Sequence, residues 1–347
     1  MSQRLPVTII TGFLGSGKTT LLRQLLTTSK QRIAVIVNEF GSVGLDGDLI
    51  RSCGFCPEEE IEGRLIELNN GCLCCTVQDD FLPTMEKLLI RSETIDSIVI
   101  ETSGLALPKP LIQAIEWPEI RSKVFVNSLV TVVDGEALSQ GSPVGDIEAI
   151  EKQYEDDENI DHLTSINELF EDQLENADIV LLSRADLISS DTVSRIKKNI
   201  EKHLREGTTV IPIANGKIDP AFILGMNQNN SGESFLDKNE MFIDDHDDHQ
   251  HLSVISSSIR MEANFIQSEI NELLLDLAGD FQILRLKGRF WVPNKSVPLQ
   301  IQMVGPRISS WFEKVPENVW RPKKSGFDFV ALSLKEGLDE KLQNLFK

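Results

Sequence analysis

Residues 7–26 constrain this chain more than any other stretch. A β-branched run, Val7-Thr8-Ile9-Ile10-Thr11, leads into Gly12-Phe13-Leu14-Gly15-Ser16-Gly17-Lys18-Thr19-Thr20, and an apolar helical pattern follows from Leu21 to Leu26. Strand, G-x-x-x-x-G-K-[ST] loop and helix stand in the order a phosphate-binding P-loop requires. Glycines let successive backbone N–H groups turn inward around an anion. Gly12, Gly15, Ser16, Gly17, Lys18, Thr19 and Thr20 are therefore the expected nucleotide cradle. Lys18 carries a point charge to the β- and γ-phosphates, Thr19 offers a hydroxyl to Mg²⁺, and the helix starting near Gly17 turns its positive end toward the phosphates.

The rest of the first two thirds reads as strands alternating with helices. Apolar runs at Ile33–Val37, Ile98–Ile100, Val124–Val133, Ile179–Leu182 and Val210–Ile213 are separated by helical patterns at 79–90, 109–115, 166–174 and 192–204. Continuous apolar strands between amphipathic helices predict an α/β fold: a buried parallel sheet with helices on both faces, as in P-loop NTPases. The stretch 146–175 is acidic, with Lys152 its only Lys or Arg, and reads as a solvated helix or excursion. Residues 226–251 read as an acidic, His-containing linker. Beyond them, strand patterns at 252–259, 281–292, 298–304 and 327–334, with helices at 264–277 and 339–346, predict a small C-terminal α+β domain over 252–347. The nucleotide domain is placed at 1–225.

Charge and cysteine usage narrow the function classes. A net charge of −20 argues against a nucleic-acid backbone or an anionic membrane as partner. No apolar run reaches the roughly 18 residues of a membrane span, and the first apolar run is the strand before the P-loop, not a leader. With five cysteines in two local clusters, the expectation is a cytoplasmic protein that uses its thiols for metal or redox chemistry.

Further motifs carry chemistry. Glu101-Thr102-Ser103-Gly104 ends a buried strand. In P-loop enzymes an acid here reaches Mg²⁺, and a glycine N–H reaches the γ-phosphate. Lys18, Thr19 and Glu101 are thus the expected catalytic set, with Gly104 beside them. Ser183-Arg184-Ala185-Asp186 ends another strand. A carboxylate at Asp186 pairs with the N1 and 2-amino donors of guanine, which adenine lacks in that geometry, so GTP is the expected nucleotide. GTPases commonly carry Asn-Lys in the first two places; Ser183 loses an amide there, while the Arg184 stem can still stack on the base.

Cys72-Leu73-Cys74-Cys75 puts three thiols within four residues. Thiolates suit Zn²⁺, Co²⁺ and Cu⁺. Cys53 and Cys56 lie upstream, and the two pairs together match a zinc-ribbon spacing. Two metal readings follow: a closed structural zinc site on both pairs, or an open exchangeable site at Cys72, Cys74 and Cys75. Ligand count favours the second, since a closed four-cysteine site leaves Cys74 unused. The tract Asp244–His251 offers further, weaker metal donors.

Taken together, the P-loop, Val37-Asn38-Glu39-Phe40-Gly41, Gly71-Cys72-Leu73-Cys74-Cys75 and Glu101-Thr102-Ser103-Gly104 resemble the CobW family of metal-handling P-loop GTPases. Glu101–Pro110, Trp117–Arg121 and Gly305-Pro306-Arg307 resemble its cobalamin-biosynthesis members, over nearly the whole chain. That resemblance implies a GTP-hydrolysing metallochaperone. GTP and Mg²⁺ would assemble the thiolate site, with Glu39 near the metal, and hydrolysis would release Co²⁺ to a protein client, a cobalt chelatase that metallates the corrin ring. Zn²⁺ in place of Co²⁺, or a nucleotide-gated scaffold with a structural zinc, are the alternatives.

Overall fold

The computed structural model describes residues 4–38, 65–68, 81–146, 148, 165–225, 254–316 and 319–346. The chain divides into two compact units, one of Met1–Arg205 with Val210–Met226, the other of Glu206–Thr209 with Asn227–Lys347.

The first unit is built on β1 (Leu5–Thr11), β2 (Ile33–Asn38), β3 (Leu65–Leu68), β4 (Ser97–Glu101), β5 (Val124–Asp134), β6 (Ile179–Ser183) and β7 (Thr209–Pro212). They form a seven-stranded sheet in the order β3-β2-β4-β1-β5-β6-β7. The pairs β1·β4, β1·β5, β2·β3, β2·β4 and β5·β6 are all parallel. Every residue of β1, β4 and β5 is buried, which is why these segments read as unbroken apolar runs rather than alternating ones. Val7 and Ile9 pack into one cluster with Met85 and Leu88 of the helix Leu82–Ile90 and with Leu111 and Ile115 of the helix Pro108–Ile115. Thr8 points the other way and donates to the Ile223 carbonyl at 3.4 Å, in the helix Pro220–Leu224. Helices therefore cover both faces.

The second unit holds a five-stranded sheet of β8 (Ile255–Glu262), β9 (Ile283–Trp291), β10 (Leu299–Val304), β11 (Arg307–Phe312) and β12 (Gly326–Ser333). Its order is β11-β10-β9-β12-β8, and its four pairings are antiparallel. Phe290, Phe327 and Phe329 of one face meet Leu274 and Leu277 of the helix Ile270–Phe281 and Leu342 of the helix Leu338–Leu345.

Several expectations need correction. The sequence reading misses β11, whose alternation of Ile308 and Trp311 with serines is too broken to stand out; Gly305 and Pro306 turn the chain back so that it pairs with β10 from Arg307↔Val304 onward. The expected helix at 264–277 instead begins as a 3₁₀ turn, Gln267–Glu269, and becomes α-helical at Ile270. The end of the acidic stretch is not solvated throughout. Ser165 and Glu168 form a reciprocal capping box that starts the helix Ile166–Asn176, and that helix buries Leu169, Gln173 and Leu174. No helix among the described residues is long and apolar enough to cross a membrane.

Candidate nucleotide site

The site is assembled at the carboxyl ends of the central strands, where open α/β sheets bind ligands. Gly12, Gly15 and Gly17 all adopt positive φ, at 134°, 75° and 104°. Gly12 admits no side chain, since a Cβ there would lie 2.1 Å from the Val132 carbonyl oxygen. The helix α1 (Lys18–Thr28) follows, with Gly17 as its N-cap, no side-chain cap and no acid in its first turn. No acid of its own first turn competes with an anion there.

Lys18 is buried and donates to the Phe13 carbonyl at 3.1 Å, so its ammonium lies along the inside of the loop. Thr19 donates to Glu101 Oε1 at 2.9 Å. Glu101, only 2 % exposed, reaches this place because β4 pairs with β1 in the register Ile10↔Glu101. The P-loop threonine and the strand-end acid, expected from two separated motifs, thus meet. Gly104 abuts the loop from the other side, and a Cβ on it would come within 2.6 Å of the Leu14 nitrogen. The buried hydroxyls of Ser16 and Ser103 have no hydrogen-bond partner among the described residues, which is costly unless a ligand supplies one.

Ser183, Arg184 and Asp186 lie on the flank made by β6. The Ser183 hydroxyl lies 2.7 Å from the Ser16 carbonyl and 3.1 Å from that of Val133, joining the end of β6 to the P-loop. Serine here retains a tie to the loop although it lacks the amide of asparagine. Arg184 takes a left-handed backbone, φ 51°. Its guanidinium donates to the Gly15 carbonyl at 3.2 Å and pairs with Asp134. Asp186 is exposed in a 3₁₀ turn, Ala185–Leu187, and Thr20 is exposed on α1.

Two contacts were not anticipated from sequence. The Gln173 amide donates to the Gly104 carbonyl at 3.2 Å, and Phe170 on the same helix stacks on Phe13 of the P-loop with centroids 6.1 Å apart. Their only signal was a Phe and a Gln on one apolar helix face. Glu39, Cys53, Cys56, Cys72, Cys74, Cys75 and the tract Asp244–His251 lie outside the described residues. Among the described residues, no three His, Cys, Asp or Glu side chains gather as a metal-holding group.

The family model described as "CobW/HypB/UreG, nucleotide-binding domain" matches residues 6–212, and that described as "Cobalamin synthesis protein cobW C-terminal domain" matches residues 254–346. The chain belongs to the CobW family. It is 42% identical over 318 residues to a Pseudomonas aeruginosa protein named "Zinc chaperone CobW", covering 90% of this chain and 83% of that one. A Sinorhizobium protein of the same name is 41% identical over 348 residues, covering 97% and 94%. A Schizosaccharomyces pombe protein named "Zinc-regulated GTPase metalloprotein activator 1" is 36% identical over 201 residues, covering 57% of this chain and 43% of that one. The CobW resemblance carried by the P-loop, Cys-x-Cys-Cys and Glu-Thr-Ser-Gly motifs is therefore correct, and it extends through the C-terminal domain.

Proposed function

We propose that this CobW-family chain is a GTP-hydrolysing metallochaperone whose cargo is zinc, held at Cys72, Cys74 and Cys75 with Glu39 and passed to a protein client. Zinc replaces the cobalt that the family resemblance first implied. Two relatives above 40% identity, covered over most of their length, bear the name zinc chaperone, and a Cys-rich tetrahedral site suits Zn²⁺ as well as Co²⁺.

The observation that carries the reading is a register. β2 and β3 pair in parallel with Asn38 opposite Leu68, and β2 pairs with β4 with Val37 opposite Glu101. The last described residues ahead of Glu39 and Cys72, Asn38 and Leu68, therefore lie side by side, at the same end of the sheet as Glu101. Neighbouring strands stand about 4.8 Å apart, so both strand ends lie within a few strand widths of the P-loop strand. Metal and nucleotide would share one edge of one sheet.

Thr19 and Glu101 would hold Mg²⁺, which when bound neutralises charge on the phosphates. Lys18 stabilises the charge that grows on the transferring phosphoryl group. The backbone N–H groups of Gly15–Thr19 and the N-terminus of α1 fix the phosphates, the Gly104 N–H contacts the terminal one, and Asp186 selects guanine. In this reading, ordering of residues after β2 and β3 by the γ-phosphate closes the thiolate site, and hydrolysis opens it.

The test is a Zn²⁺ titration against a chromophoric chelator, with and without Mg²⁺·GTP. A coupling near the upper end of the usual range makes zinc roughly a hundredfold tighter with GTP, and by reciprocity GTP tighter with zinc. Cys74→Ser with Cys75→Ser abolishes that binding; Cys53→Ser with Cys56→Ser leaves it in place. Equal zinc affinity in both conditions, or loss with the second pair alone, refutes the chaperone reading in favour of a structural metal.

A further inference from the structure

One charged group beside the nucleotide site has no part in the scheme above. Asp134 ends β5, and its side chain is 4% exposed. Its Oδ1 accepts from the N–H groups of Glu136 at 3.0 Å and Ala137 at 3.2 Å, capping the helix Gly135–Ser139. Its Oδ2 pairs with one amino group of Arg184, whose other amino group donates to the Gly15 carbonyl. Gly145 lies against the same oxygen, with room for a Cβ only 3.4 Å away, and a Cβ on Gly135 would meet the Ser183 carbonyl at 2.6 Å. The carboxylate is thus enclosed on a rigid strand end, and it faces a cation whose own side chain is 43% exposed.

We propose that Asp134 is a positioning residue for guanine recognition: with the Gly15 carbonyl it pins the two arms of the Arg184 guanidinium, so that the Arg184 stem forms a fixed wall for the purine ring. The proposal rests on the assignment of Ser183–Asp186 as the base motif. Two physical points support it. An unpaired arginine next to a phosphate cradle is drawn toward the phosphates; a buried carboxylate at its other end cancels that pull and holds the plane of the guanidinium. A planar fork can bridge two fixed acceptors, whereas a single ammonium presents a point charge. Arginine in place of the usual lysine is then matched to Asp134, and the pair makes up for the asparagine that Ser183 replaces.

The experiment uses the full chain and fluorescent GDP, GTP and ATP. Asp134→Asn keeps an oxygen for the helix cap and removes the charge that orients Arg184. It should weaken GDP and GTP alike by about tenfold, the scale of one charged hydrogen bond, and ATP by less, because the wall holds either purine but only guanine is thereby set against Asp186, so that selectivity narrows. Arg184→Met should do the same, and the double variant should bind no more weakly than Arg184→Met alone. Asp134→Ala, which also loses the cap, should lower the urea midpoint further without a further loss of affinity. The proposal is overturned if Asp134→Asn binds GDP within about twofold of the parent, if the two single losses add in full, or if only GTP is affected, which would place Asp134 on the phosphate side. Equal GTP and ATP affinity in the unmodified chain is a different failure: it removes the guanine reading itself.

Discussion

The two sheets both bury charge, and they do so to opposite ends. Around the parallel sheet, Lys18 and Glu101 are 7% and 2% exposed, yet one opens α1 and the other ends β4, about a loop of inward-turned N–H groups. In the antiparallel sheet, Arg289 and Asp328 are 7% and 2% exposed, but they lie mid-strand, opposite each other in the register Asp328↔Arg289, with Arg260 across from Asp328 on the other side. Their closest approaches are 3.6 Å and 3.9 Å. These charges face one another across the sheet; those of the first face the mouth of a phosphate loop. Burial alone therefore does not mark a site. What distinguishes the two is whether the surrounding backbone donors are already used. A sheet ladder uses them all, while a P-loop leaves them open.

The largest expected effect tests the first half of that contrast. Lys18→Ala should lower GTP turnover by about a hundredfold to a thousandfold, the usual loss for one preorganised donor to a developing oxyanion, with a melting temperature close to that of the parent. Phosphate release and a thermal scan measure the two together. Should Lys18→Ala unfold the chain, the charge is structural and the contrast collapses.

Asp328→Ala tests the second half. It takes from Arg289 and Arg260 the buried carboxylate that lies between them, which should cost about 3 kcal/mol or more of stability, read from urea denaturation, while nucleotide affinity of the folded protein stays unchanged. Burial holds the Asp328 carboxyl above the ordinary carboxylate range despite Arg260 and Arg289. A carboxyl that protonates more readily when folded favours the folded state at low pH and loses that contribution as pH rises through its folded pKa. Asp328→Asn keeps the volume but removes the same charge, so it should cost only modestly less than Asp328→Ala.

The smallest effect sharpens the contrast further. Lys287 lies between Arg285 and Arg289 on alternate positions of β9. Burial, then Arg289 and Arg285, push its pKa down to about 8, against an ordinary value of about 10.4. Between those two values the unfolded chain holds more protons than the folded one, so stability should rise with pH across that window. Lys287→Met should stabilise the protein modestly at pH 7 and remove the slope. A denaturation series from pH 7 to 10 shows this, and an unchanged slope in the variant would assign the pH dependence elsewhere.

Much of the first unit was legible because its signals are local. The P-loop needs only a short run of consecutive residues, and the strands β2, β4, β5 and β6 announce themselves as apolar runs with no room for alternation, within a residue of their observed ends. Glu101 and the Ser183–Asp186 turn could be named because each directly follows such a run. In the second unit β11 was missed, since its residues are partly exposed on both faces and only pairing with β10 holds them extended.

By itself, then, the sequence determined the phosphate cradle, the alternation of strand and helix and the membership in the CobW family, because each is encoded in neighbours along the chain. Tertiary structure alone decided which distant groups meet. It brought Thr19 to Glu101 through the β1·β4 register and Arg184 to Asp134 across β5 and β6. It also set Gln173 and Phe170 against the loop from a helix that the acidic composition had marked as solvated. Strand order is a property of which buried faces fit together, and no local pattern carries it; once the order is set, the ends of nonadjacent segments converge, and the site is made there.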